Sequence, residues 1–170
     1  MSEYLKKYGI VFHENMTVGE DQMFNYEVAA QEESNVISYK GNCYIFTERP
    51  VSLMHGKRSE SKKKAIFESH FEMLKTFVSY KQKGMPDHKA IEIKVLQQKQ
   101  TTIYTLMQVR DSRFVREKIK ELKEKGYYPY KQPSWLIPKN EPRVKRVMLS
   151  LLPNPIGAYF FHIAWKLIKK

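Results

Sequence analysis

The sequence is poor in cysteine, aspartate and glycine, and each shortage excludes something. Cys43 is the single cysteine among 170 residues, so no disulfide can close within the chain, and a reducing compartment fits. Aspartate occurs only at Asp21, Asp87 and Asp111, and the seven glycines form no phosphate-cradling loop. No uninterrupted apolar run reaches the roughly 18 residues a membrane span needs, so no transmembrane helix is expected. The first seven residues lack the apolar core of a signal peptide. His13, His70, His88 and His162 stand at no ligand spacing to one another, so no metal site is expected within the chain. Internal repeats and low-complexity tracts are absent as well.

What is abundant is positive charge, and it is unevenly placed. The net charge is +12. Residues 1–56 hold four basic and eight acidic side chains, a net of −4, whereas residues 57–170 hold 26 basic and 10 acidic ones, a net of +16. The sequence therefore divides into an acidic segment, 1–56, and a basic extension, 57–170. The second part should be drawn to something anionic: a membrane surface, a diphosphate or nucleic acid.

Periodicity and breakers predict mostly helix. A short helix over Tyr4–Tyr8 stops at Gly9, and Ile10-Val11-Phe12 reads as extended. Thr17 and Glu20 have capping-box spacing and open a helix through about Gln31. Two strand-like runs, Asn35–Tyr39 and Cys43–Thr47, flank a turn at Lys40-Gly41-Asn42. Phe67, Phe71, Leu74 and Val78 recur at helical spacing within a helix of about Ser61–Lys83, before Gly84-Met85-Pro86. Further helices are expected over about Asp87–Val109, Ser112–Lys125, Arg143–Leu152 and Ile156–Lys169, with a Tyr/Pro-rich linker at Tyr127–Pro138. The lysines of Ser112–Lys125 alternate with Glu117, Glu121 and Glu124, as on a salt-bridged solvent face.

The segment richest in chemistry is Phe12-His13-Glu14-Asn15-Met16-Thr17-Val18-Gly19-Glu20-Asp21-Gln22-Met23-Phe24-Asn25. Glu20 and Asp21 fall in the first turn of a helix, where free backbone N–H groups and the helix dipole favour negative charge. A carboxylate held there can take the proton of a hydroxyl as it attacks. The residues alone leave two readings open for each acid. Glu20 is a capping partner of Thr17 or a ligand contact, and Asp21 is a solvated first-turn acid or a base.

The order aromatic-x-Glu, then Gly-Glu-Asp, then x-x-Phe-Asn resembles the acceptor-site segment of bacterial family 2 glycosyltransferases. Tyr8-Gly9-Ile10-Val11-Phe12 is similar to that family's lead-in, and Cys43–His55, with its Glu48-Arg49-Pro50-Val51-Ser52 loop, to the strand and loop that follow. The resemblance covers residues 4–56, and more loosely the helices to about 130. It implies an inverting transfer of sugar from a nucleotide-sugar to a glycan or lipid-linked acceptor. It makes Asp21 the catalytic base, puts Glu20 and Glu14 near the acceptor, and puts Arg49, Ser52 and His55 near the diphosphate. A surface-loop role for His55 stands beside that. The implied fold is a mostly helical α+β piece: the C-terminal, acceptor-side part of a GT-A nucleotide-diphospho-sugar transferase, with a two-strand element and a helical extension.

The sequence departs from that family in having no D-x-D motif and no run of alternating strands and helices. The donor-binding half, which holds the divalent metal (Mg²⁺ or Mn²⁺), is expected elsewhere, on a longer or a separate chain. The implied location is cytoplasmic, peripheral on the inner face of the plasma membrane. The C-terminal helix fits either of two roles. Ile156, Tyr159, Phe160, Ile163, Ala164 and Leu167 form an apolar stripe, widened by Phe161, Trp165 and Ile168, that docks on the chain's own core or lies, with Lys166, Lys169 and Lys170, in a membrane interface. The rival to an enzyme is a non-catalytic basic helical module at a membrane or on nucleic acid, or an inactive remnant. Charge alone argues for nucleic acid, since no recognition motif accompanies it.

Overall fold

The structure, a computed structural model, describes residues 2–29, 31, 58–83 and 88–168. Seven α-helices follow one another among them: α1 (Glu3–Lys7), α2 (Glu20–Ala29), α3 (Glu60–Gln82), α4 (His88–Met107), α5 (Ser112–Glu124), α6 (Arg143–Leu151) and α7 (Pro155–Ile168). A 3-10 turn, Ser134–Leu136, interrupts the linker before α6.

The α+β expectation is corrected: the described residues are all-helical, with no strand and no sheet. Ile10, Val11 and Phe12 are not extended in a sheet. They form a coil between α1 and α2, with Ile10 buried and the other two exposed. An apolar triplet needs only a wall to lean on, and a helical wall serves as well as a neighbouring strand. The two strand-like runs, Asn35–Tyr39 and Cys43–Thr47, lie outside the described residues.

Local chemistry explains where the helices start and stop. At the start of α3, the Ser59 hydroxyl accepts the Lys62 N–H at 3.2 Å. Helix α5 begins at Asp111, whose carboxylate accepts the N–H groups of Arg113 and Phe114. It closes at Gly126, where φ is +69°. There the N–H of Gly126 donates to Lys123 and that of Tyr127 to the Leu122 carbonyl, a left-handed cap that suits glycine.

Helices α3 and α4 make the most extensive pairing in the molecule. Phe67, Phe71, Leu74 and Phe77 from α3 meet Ile103, Leu106 and Met107 from α4, and all are essentially fully buried. Each such side chain contributes about 1.5–3 kcal/mol by leaving water. One polar contact fixes their register: Gln98 donates to the His70 carbonyl at 2.9 Å and to its ring Nδ1 at 3.1 Å, and Thr102 donates to the same carbonyl. Helices α5 and α7 pack on α4, and α6 packs on α7.

Helix α7 docks through the flank that Phe161 and Trp165 add to its apolar face, and not through the centre of the stripe. Its buried face is Ala158, Phe161 and His162, with Trp165 stacked on Phe161. Ile156, Tyr159, Phe160 and Ile163 are exposed. The helix is apolar nearly all round, so periodicity could not say which side would face the core.

Candidate functional site

The Phe12–Asn25 segment folds as a coil followed by α2, and the coil is tied to α3. The N–H of Thr17 donates to Ser69 Oγ at 2.8 Å, and that hydroxyl donates back to the Ala65 carbonyl. Gly19 then makes the turn into α2 with φ +80°, and its carbonyl accepts the first helical N–H, from Met23. A β-carbon at Gly19 would stand 2.7 Å from the sulfur of Met73. Glycine is therefore favoured by the backbone conformation, and a β-carbon would in addition displace the end of the Met73 side chain. Helix α2 starts at Glu20, not at Val18, so Gly19 takes the position before the helix that the capping-box spacing gave to Thr17.

Between the coil and α3 lies a groove of about 810 Å³, within the range of ligand sites. Phe12, His13, Glu14 and Thr17 line one side, and Glu68, Ser69 and Glu72 of α3 line the other. Glu14 and the half-exposed Phe12 ring offer hydrogen-bond acceptors and an apolar face to a ligand rich in hydroxyls, while Glu68 and Glu72 on the opposite wall are engaged by Lys118 and Lys75. His13 Nε2 meets Glu27 Oε1 at 2.9 Å. Burial and the Glu27 carboxylate, which accepts from its hydroxyl, push the phenol of Tyr80 well above its usual range. A partly buried carboxylate thus stands behind the groove histidine and orients it.

Of the residues singled out by sequence, Glu14 lines the groove. Glu20 and Asp21 occupy the first turn of α2 and are not among the groove's lining residues. Asp21 is exposed, and its Oδ1 accepts the N–H of Gln22 at 2.7 Å. Arg49, Ser52 and His55 lie outside the described residues. Sequence reasoning missed His13 with Glu27, and Glu68, Ser69 and Glu72. The α3 residues come from more than fifty positions away, and no local spacing could have found them. Among the described residues no three His, Cys, Asp or Glu side chains are grouped to hold a metal ion.

Part of the basic charge is occupied within the chain. Lys63 pairs with Glu60 at 3.0 Å and Lys64 with Asp111 at 2.7 Å. On α5, Arg113 pairs with Glu117, Lys120 with Glu124, and Lys118 with both Glu121 and Glu68. Three of the five cations of α5 are thus paired along their own helix. No family model, curated protein or solved structure matches the chain.

Proposed function

We propose that the chain supplies the acceptor side of a sugar transfer, with Asp21 as the base that takes the proton of the attacking hydroxyl. The observation that carries this reading is the chemistry of the groove. The aromatic-x-Glu part of the segment that resembles family 2 glycosyltransferases lines a cavity where the Glu14 carboxylate and the Phe12 ring suit a ligand rich in hydroxyls. Glu14 binds acceptor hydroxyls there. Asp21, exposed on the first turn of the adjoining helix, is free to meet a hydroxyl presented from the groove's edge. Donor and divalent metal (Mg²⁺ or Mn²⁺) belong to a separate donor-binding half, and no step is assigned to a metal on this chain.

The test is transfer by the chain combined with a donor-binding half, encoded upstream of Met1 or on a separate gene. Released nucleoside diphosphate is the readout. Asp21→Asn should lower turnover by about 10²-fold or more, the scale of a lost general base. Glu14→Gln should chiefly raise KM for the acceptor. Unchanged turnover in Asp21→Asn would sink the reading.

A second reading, a non-catalytic module at a membrane surface, is favoured by the exposed apolar stripe of α7 beside a strongly basic segment. The two are compatible in one molecule.

A further inference from the structure

Ten large hydrophobic side chains stand exposed among the described residues, and eight of them fall between Trp135 and Ile163. They are ordered. On α6, Val144, Val147 and Leu151 recur at i, i+3 and i+7, one face of a helix. On α7, Ile156, Tyr159, Phe160 and Ile163 recur at i, i+3, i+4 and i+7. The opposite sides of both helices are already used, by Leu149 and Leu152 on one and by Ala158 and Phe161 on the other. So these stripes are left over after the core is complete.

Charge says what covers them. Residues 131–170 contain eight basic side chains and one acidic one, Glu141. Glu141 is taken up by Lys145 at 2.6 Å. An open groove of about 690 Å³ beside α6 is lined by Trp135, Lys139, Arg143 and Arg146. Among the described residues, none of those three cations meets a carboxylate. On α5, by contrast, Arg113, Lys118 and Lys120 each pair with a glutamate of the same helix.

We propose that α6, the exposed stripe of α7 and the Trp135 groove form a docking surface for an anionic lipid bilayer. Lys139, Arg143 and Arg146 take headgroup phosphates. Tyr159, Phe160 and Trp135 enter at the depth where amphipathic aromatic rings sit. Among the described residues no helix is long and apolar enough to cross a membrane, so the contact is interfacial. A protein partner would need a matching acidic face, whereas an anionic leaflet offers phosphates and apolar tails together. The inference does not rest on the sugar-transfer reading, because vesicle binding needs neither donor nor acceptor.

The experiment is co-sedimentation of the full chain with phosphatidylcholine vesicles, with and without phosphatidylglycerol, alongside tryptophan emission. The expected result is binding to the phosphatidylglycerol vesicles only, with a blue shift, weakened by salt. Arg143→Gln with Arg146→Gln should lower partitioning by about 30-fold at low salt, at about 1 kcal/mol per charge. Tyr159→Ser with Phe160→Ser should lower it by about tenfold or more, with helix content by circular dichroism unchanged because both rings are exposed. Three results would overturn the proposal: equal binding to vesicles of phosphatidylcholine alone; binding indifferent to the Tyr159/Phe160 pair, which is plain adhesion to charge; or no vesicle binding together with self-association that the same pair abolishes.

Discussion

At Gly19 two separate demands coincide, a left-handed backbone and a buried methionine sulfur 2.7 Å from where a β-carbon would be. Gly19→Ala is expected to cost about 2–4 kcal/mol, strain and overpacking together, read as a lower urea midpoint with unchanged slope. His70 makes a second prediction. Burial, then the Arg58 charge, pushes its imidazole down from 6.5 to about 4. Between those values the unfolded chain binds more protons than the folded one, so stability falls as pH drops through that window and is fully present above it. His162, also buried, shifts in the same direction. The urea midpoint should be lower at about pH 5 than at about pH 7, with about 1–2 kcal/mol of the loss due to His70. His70→Gln should flatten the profile, and an unchanged slope would contradict the assignment.

Two helices carry predictions of their own. Phe161 is 1% exposed and its neighbour Phe160 63%. Phe161→Ala should cost about 3–5 kcal/mol and Phe160→Ala less than about 0.5 kcal/mol, a contrast that thermal melts resolve. At α5, the Lys64 ammonium and the N–H groups of Phe114 and Arg113 hold the Asp111 carboxyl down at about 2. Asp111→Asn keeps a capping oxygen, whereas Asp111→Ala removes cap and pair together. The melting temperature should therefore fall further for alanine than for asparagine. Helix positions were legible in sequence because their boundaries are local: Ser59, Asp111, Gly126 and the Pro153-Asn154-Pro155 break each act within a turn. Burial on α3 was legible in part: Phe67, Phe71 and Leu74 are buried as their spacing implied, Val78 is only partly so, and Ile66, Met73 and Phe77 were not singled out. The face of α7 was not legible, because a helix apolar on most sides gives no contrast to read. Nor was the groove, because coil 11–17 and α3 meet only through tertiary contacts such as Thr17 with Ser69. The family resemblance carried an expectation of sheet that the described residues do not meet.

The molecule as a whole is built on the α3–α4 pair, with α5 and α7 laid against α4 and the motif-bearing coil and α2 leaning on α3. Residues 3–29 add Met23 and Tyr26 to the core, but the remaining helices meet one another without them. A chain of residues 58–170 should keep its helix content and a cooperative melt at a lower temperature; loss of the cooperative transition would show that α2 is integral. That arrangement separates two kinds of pressure on the Gly19-Glu20-Asp21 run. Gly19 is held by packing, whereas Asp21 is exposed and its Oδ1 accepts the N–H of Gln22 within its own helix. On the proposed function, a lineage that lost the transfer would keep the glycine while the aspartate was free to drift. Retention of both across descendants would mark a working site, and retention of the glycine alone would mark a fold outliving its chemistry.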